Sequence, residues 1–240
     1  MRDNLSNIVK DISVVLPCYE ENHEIISGIT TKLKDYGIEV IVVDDGSKNP
    51  YPEAIKHGYN FGYGAALLTG IKNATRPLII TMDSDGQHDF EDVINLAIVW
   101  DLIKDCDLLI GSRRLKNEKW YRMWGRKFLN LIASFISLVW LQDLNSGMRM
   151  FKRDIAMGYA PILCKGFSFT TSLTISMMCD GYRIEYFPIR VEERKNGKSK
   201  VKVIRHGFIT LYYILRNGFA LRTRKIRAWI RRIRGVSIHS

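Results

Sequence analysis

The chain has 240 residues, 46% of them hydrophobic, which is enough for a full core in one large α/β domain or two small ones. Its four cysteines (Cys18, Cys106, Cys164, Cys179) lie far apart without metal-ligand spacing, so a cysteine metal centre is excluded and they read as reduced, mostly buried thiols of a cytosolic protein. The formal charge of +11 is placed unevenly: fourteen of the 36 Lys/Arg and none of the 25 Asp/Glu fall between Arg194 and Ser240, leaving 22 basic against 25 acidic residues before them. Such a basic excess predicts an anionic partner, either a membrane surface or a nucleic acid.

In chain order, Met1 to Lys10 has no apolar h-region, which predicts no signal peptide. Ile12 to Leu16 is a β-branched run stopped by Pro17, a buried strand. Asn22 to Tyr36 has helical periodicity (Ile25, Ile26, Ile29, Leu33) and ends at Gly37. Glu39 to Val43 is a second buried strand that runs into Asp44-Asp45-Gly46-Ser47. A short connection with Pro50 and Pro52 follows, and Asn60-x-Gly62-x-Gly64 opens a helix from Ala65 to about Ala74. Leu78 to Met82 is a third strand, Phe90 to Lys104 a helix, and Asp107 to Ile110 a fourth strand ending at Gly111-Ser112-Arg113. This alternation predicts a mostly parallel sheet with helices on both faces, and such folds gather function at the carboxyl ends of their strands.

After Arg114 the rhythm changes. Trp120 to Lys127 is basic and aromatic, and Phe128 to Leu141 reads as an apolar helix. Asp143 to Arg149 is a turn leading into a short strand or edge segment, Phe169 to Cys179 a helix, and Arg183 to Val191 strand, with Pro188 favouring an edge. Arg194 to Lys200 is a basic loop. From Val201 the chain reads as a long basic, aromatic helix with a candidate break at Gly218. Phe128–Leu141 and Phe208–Leu221 are the longest apolar stretches, and both fall short of the ~18–20 residues that span a bilayer.

The chemistry sits at the strand ends: Tyr19 and Glu21, Asp44 and Asp45, Asp83 and Asp85, Ser112 and Arg113. Asp83 and Asp85 are spaced to face one side of an extended chain, and two hard oxygen donors suit Mg²⁺ or Mn²⁺ that also takes phosphate oxygens. A lone Asp-x-Asp is usually an acidic turn capping the next helix. Four polar strand ends in succession are poorly explained by turns alone. A carboxylate of Asp44-Asp45 can accept from a base or ribose hydroxyl, and Gly62-x-Gly64 could bring backbone N–H groups to phosphate, although the third glycine of a dinucleotide fingerprint is not in place. Together these residues suggest a nucleotide-diphosphate ligand with a metal, and transfer at the distal phosphate.

Val14-Val15-Leu16-Pro17-Cys18-Tyr19-Glu20-Glu21 resembles the Pro-x-Tyr-x-Glu opening of family 2 glycosyltransferases. Val42 to Ser47, Asn60-x-Gly62-x-Gly64, Met82 to His88 and Gly111-Ser112-Arg113 follow in that family's order. Asp143-x-Asn145-Ser146-Gly147-Met148-Arg149, Pro188-Ile189 and Arg194-x-x-Gly197-Lys198-Ser199-Lys200 resemble its dolichyl-phosphate mannose or polyprenyl-phosphate sugar synthase branch. The resemblance covers residues 12 to 202 and implies a GT-A fold. Residues 1–200 would form that domain, with a nucleotide half to about 112 and an acceptor half from 113, and 201–240 a membrane-associating tail.

The resemblance also implies roles. Pro17, Tyr19, Glu21, Asp44 and Asp45 would hold the nucleoside. Asp83 and Asp85 would ligate the metal and the donor diphosphate, with Gln87 near the sugar or metal. Arg113 and Arg126 would grip an acceptor phosphate with Asn130 in reach, and Arg194 and Lys200 would close over the diphosphate. Asp85, Gln87, Arg113 and Arg126 are thus the expected catalytic groups. Two positions depart from the family: Cys18 replaces Thr or Ser, and Phe169-Thr170-Thr171-Ser172 replaces Phe-x-x-Glu.

The expected reaction is an inverting transfer from a nucleotide sugar of GDP-mannose or UDP-glucose type to a polyprenyl or dolichyl phosphate. A phosphate monoester is already anionic at neutral pH, so it needs a cationic cradle rather than a general base. Asp143 is the candidate base if the acceptor is a hydroxyl; for a phosphate acceptor it would position Arg149 or its loop. The basic tail, with Trp229 among its arginines, predicts peripheral attachment to an anionic cytoplasmic leaflet, with a small membrane subunit as a candidate partner. The alternatives are a family 2 transferase acting on a saccharide hydroxyl, an inactive scaffold, and a nucleic-acid-binding module. The processive Gln-x-x-Arg-Trp motif is missing, both carboxylate pairs are intact, and no nucleic-acid recognition motif accompanies the tail, so no nucleic-acid partner is expected.

Overall fold

The computed structural model describes residues 8–88, 90–113, 120–137, 143–144, 146–189, 206–220 and 223; at 113, 120–123, 126, 136 and 137 it describes the backbone only. The elements are β1 (Ile12–Cys18), α1 (His23–Asp35), β2 (Glu39–Asp44), β3 (Ile55–Lys56), α2 (Tyr63–Asn73), β4 (Leu78–Thr81), α3 (Phe90–Leu102) and β5 (Leu108–Arg113). They continue with α4 (Trp120–Ser137), β6 (Arg149–Lys152), α5 (Arg153–Tyr159), a 3₁₀ turn (Ala160–Ile162), α6 (Phe169–Cys179), β7 (Ile184–Ile189) and a helix over 206–220, α7.

One seven-stranded sheet runs β3-β2-β1-β4-β6-β5-β7. All its pairings are parallel except those of β6, which lies antiparallel between β4 and β5. Of the two readings for this segment, a short strand or an edge, the structure has the short strand, and it is central. β7 is an edge strand, where Pro188 needs no donor on its open side. β5 runs through Gly111 and Ser112 to Arg113 because β7 stays paired with it to the end.

Alternation along β1 sorts the core. Val14 and Leu16 pack with Ile26 and Leu33 of α1 and Val93 and Leu96 of α3. Val15, on the other face, packs with Leu67 and Ile71 of α2 and Phe169 and Leu173 of α6. Helices thus cover both faces. The side chain of Asn22 caps α1 by accepting from Glu24 N–H (2.8 Å), and Gly37 closes it at φ +80°.

Every residue of α6 is buried, since sheet, α4 and α7 all pack on it. This accounts for Thr170-Thr171-Ser172 where the family has an acidic residue: hydroxyls bond to nearby carbonyls, whereas a carboxylate there would be a buried charge. Helix α4 begins at Trp120, so the basic aromatic stretch and the apolar stretch share one helix; residues 138–142 lie outside the described set. Helix α7, assigned above to the tail, runs unbroken past Gly218 and packs on α6 through Thr210, Ile214 and Asn217.

At the opposite end of the sheet Glu39 opens β2. Glu39 accepts from Ser13 Oγ, Thr75 N–H (3.0 Å) and Thr75 Oγ1 (2.7 Å), tying β1, β2 and the entry to β4. Burial alone would raise its pKa, but these donors outweigh burial and hold it below the ordinary 4.5. A depressed folded value stabilises above the unfolded pKa and is lost as pH falls through the folded one. The stability gap between wild type and Glu39→Gln, read as urea midpoints from about pH 6 down to pH 3, is expected to close at the acid end.

Candidate active site

The register brings the polar strand ends to one edge of the sheet. Cys18 pairs with Asp44, Val15 with Thr81, and Thr81 with Arg149. Because β6 is antiparallel, its first residue lies at the edge where its neighbours finish. The segment before it, Asp143 to Met148, therefore joins the site.

Asp83 follows β4 and is half-buried. The Tyr63 hydroxyl donates to its Oδ1 at 2.8 Å. Gly147 lies against it so closely that a Cβ there would be 2.7 Å from Asp83 Oδ2. Thr81 Oγ1 donates to Gly147 O (2.7 Å), which fixes that approach. Asp85 is buried and its Oδ1 accepts Gln87 N–H at 3.1 Å across the turn at Gly86, whose φ is +77°. Between the two carboxylates, Ser84 Oγ donates to Pro17 O (2.8 Å), anchoring the turn to β1.

Asp44 and Asp45 are both buried and already serve as acceptors within the chain. Asp44 takes the N–H groups of Ser47 (2.8 Å) and Tyr51 (3.2 Å) and the Cys18 thiol (3.6 Å). Cys18 thus does with a thiol what Thr or Ser would do with a hydroxyl, and burial, followed by the Asp44 charge, pushes its pKa far up. Asp45 takes His57 Nδ1 (2.7 Å), Phe61 N–H (3.0 Å) and Gly62 N–H (2.8 Å). His57 Nε2 pairs with Thr69 Oγ1 at 2.9 Å. The acidic pair therefore builds the 46–62 loop. That loop holds two exposed, tilted rings, Tyr59 and Phe61, with centroids 3.9 Å apart. Tyr19 and Glu21 are partly exposed beside it, and Pro17 lies within β1.

The glycine pair has a steric cause that the sequence did not show. A Cβ on Gly64 would be 2.2 Å from Cys164 O and one on Gly62 2.6 Å from Lys165 O. Ala65 N–H donates to Lys165 O at 2.9 Å. The glycines let the start of α2 press on the 164–166 backbone.

Arg149, fully buried, locks the platform beneath Asp83. Its Nε donates to Ser146 O (2.6 Å), Nη2 to Leu144 O (2.6 Å), and Nη1 to Thr170 O (2.8 Å) and to Thr174 Oγ1. Ser146 Oγ donates to Gly111 O at 2.5 Å. Asp143 is buried beside this network. Arg113 ends β5, and Arg126 lies one turn before the buried Asn130 on α4; the side chains of both arginines lie outside the described set. Arg194, Lys200 and Asn145 lie outside it altogether. Tyr63, His57 and Arg149 are the site-building residues without a role in the sequence reading. Tyr63 adjoins Gly64 in the Asn60-x-Gly62-x-Gly64 motif, and Arg149 closes the motif that begins at Asp143, the residue expected to position it.

Carboxylates at the ends of β2 and β4, the parallel strands on either side of β1, with the antiparallel β6 returning beside β4, fit the GT-A architecture of nucleotide-sugar transferases. The chain belongs to glycosyl transferase family 2, whose model matches residues 13–169. It is 29% identical over 229 residues to an uncharacterized protein of Methanocaldococcus jannaschii, covering 88% of this chain and 94% of that one. Its fold matches glucosyl-3-phosphoglycerate synthase from Mycobacterium tuberculosis in complex with Mn²⁺, UDP and phosphoglyceric acid, with TM-score 0.70 and 18% identity over 91% of this chain and 82% of that one. The same synthase with Mg²⁺ and UDP matches with TM-score 0.66 and 18% identity, over 90% and 83%. The protein is a family 2 glycosyltransferase that uses a nucleotide sugar.

Proposed function

We propose that this enzyme transfers a sugar from a nucleoside diphosphate to a polyprenyl or dolichyl phosphate, with inversion, at the cytoplasmic face of a membrane. The observation that carries the acceptor is on α4. The helix that bears Arg126 and Asn130 also exposes Trp124, Phe128, Leu131 and Phe135. One helix that carries a basic position in register with the buried Asn130 and, on its other side, an apolar stripe suits an amphiphile with an anionic head. Phosphate needs no general base, so this reading asks no proton transfer of the buried Asp143.

On the donor side, the 46–62 loop that Asp44 and Asp45 hold forms the nucleoside wall, together with Pro17, Tyr19 and Glu21. Asp83 and Asp85 supply hard oxygen donors, with Asp83 fixed by Tyr63 and Gly147. Among the described residues no cluster of three or more His, Cys, Asp or Glu could hold a metal alone, so the remaining ligands would come from the donor diphosphate. Bound there, Mg²⁺ or Mn²⁺ would neutralise charge on the leaving diphosphate. The Mn²⁺- and Mg²⁺-containing UDP complexes of the mycobacterial synthase support this donor chemistry. In this reading Gln87 would stand near the sugar or metal, Arg113 and Arg126 would grip the acceptor phosphate, and Arg194 and Lys200 would reach the donor diphosphate. The basic tail binds an anionic leaflet, and a small membrane subunit could share that attachment.

An acceptor panel of polyprenyl phosphate, polyprenol, phosphoglyceric acid and a free hexose, each with GDP-mannose and UDP-glucose, tests the reading. Transfer confined to polyprenyl phosphate is expected. Transfer to phosphoglyceric acid or a hexose, with none to the lipid phosphate, would overturn it.

A further inference from the structure

Eight of the thirteen large hydrophobic side chains exposed among the described residues fall on two helices at the same spacing. On α4 they are Trp124, Phe128, Leu131 and Phe135, at i, i+4, i+7 and i+11. On α7 they are Phe208, Tyr212, Leu215 and Phe219, again at i, i+4, i+7 and i+11. That spacing puts each set along one helix face. Phe135 is 79% and Phe208 70% exposed, so these are open faces rather than the rim of a core.

The opposite faces of both helices are already used. Ala133 of α4 and Ile214 of α7 lie in one apolar cluster with Ile175 and Met178 of α6. Asn217 donates to Ser176 Oγ at 3.2 Å, and Thr210 pairs with Ser168 at 2.8 Å. Each helix is thus held on α6 by its inner face and turns an apolar stripe outward. Contiguous exposure of this kind marks an interaction surface.

We infer that the two stripes form a docking face for an anionic lipid bilayer, with α4 and α7 lying on its surface and their aromatic side chains entering the boundary between headgroups and acyl chains. Charge selects this occupant. Lys127 and Arg216 border the stripes, and residues 120–137 and 206–220 contain no acid; Arg122 and Arg126 fall on the opposite side of α4. A second copy of the chain seated on the same face would bring cations against cations. Anionic headgroups complement them. Lys127 Nζ lies 5.5 Å from the Trp124 ring centroid and Arg216 Cζ 5.7 Å from that of Tyr213, so the cations flank aromatic rings as they do at a membrane interface. The inference deepens the membrane-face reading above but needs no particular acceptor.

The test uses the full chain and vesicles of phosphatidylcholine with phosphatidylserine, containing no polyprenyl phosphate. Two double variants each break one stripe, Phe128→Asp with Phe135→Asp and Phe208→Asp with Phe219→Asp. Thermal unfolding and nucleoside diphosphate binding check that both remain folded. Each is expected to lower co-sedimentation with vesicles about tenfold or more, and pure phosphatidylcholine is expected to bind wild type more weakly. Wild-type binding that both folded variants retain would overturn the inference. So would a wild-type dimer that the variants convert to monomer without loss of vesicle binding. Stripe-dependent binding combined with no transfer to polyprenyl phosphate would leave this face standing and reject the acceptor instead.

Discussion

Asp83→Ala is expected to lower kcat/KM for sugar transfer by about 10³-fold, with the urea midpoint of unfolding close to wild type. The factor corresponds to about 4 kcal/mol of lost stabilisation of the leaving diphosphate, the order a carboxylate-held cation supplies. Folding should tolerate the change. Asp83 is half-buried, and the partner it strands, the Tyr63 hydroxyl, belongs to a side chain that is itself only half-buried. Asp45→Ala would act differently, because it strands the N–H groups of Phe61 and Gly62 and the ring of His57. Steady-state rates at saturating Mg²⁺ or Mn²⁺ with parallel unfolding curves separate the two. Near-normal transfer by Asp83→Ala would remove the metal-centred scheme.

Arg149→Leu is expected to cost about 4 kcal/mol or more of folding stability. The guanidinium is fully buried, and four acceptors on two segments converge on it: the carbonyls of Leu144, Ser146 and Thr170 and the Thr174 hydroxyl. Leucine fills part of the volume but removes all four bonds; Leu144 O keeps the Thr171 hydroxyl and Thr170 O the Thr174 hydroxyl, so the penalty of about 1–3 kcal/mol for a stranded acceptor falls chiefly on Ser146 O, with the lost charged bonds adding to it. Urea unfolding measures the loss directly. A change under about 1 kcal/mol would mean that the platform under Asp83 holds without its central arginine.

The carboxylate strand ends were legible because each follows an apolar run too short to be anything but a buried strand. Val40 to Val43 precedes Asp44, and Leu78 to Thr81 precedes Met82-Asp83. What the side chains there do was less legible. Asp44 and Asp45 are read as ligand contacts, and the sequence did not show that their oxygens also take N–H groups up to seventeen positions away. Pairings of that range have no local signal. Strand order has the same character. The four residues of β6 carry no mark of running antiparallel between β4 and β5, yet that insertion delivers Gly147 to Asp83. The glycine pair of Asn60-x-Gly62-x-Gly64 was visible, but what it accommodates, the 164–166 backbone, lies a hundred residues further on. The stripes on α4 and α7 are periodic in sequence, but periodicity alone does not say which face is inward. That required the packing on α6.

The proposed reaction is direct attack of a lipid phosphate on the anomeric carbon of a nucleotide sugar. Mass analysis of both products of one reaction, with purified enzyme, polyprenyl phosphate and the accepted donor, tests it most directly. The predicted result is a lipid heavier by one sugar residue without added phosphate, together with the free nucleoside diphosphate. Release of nucleoside monophosphate with a lipid that has gained a sugar phosphate, or a labelled sugar that never enters the lipid, would contradict it.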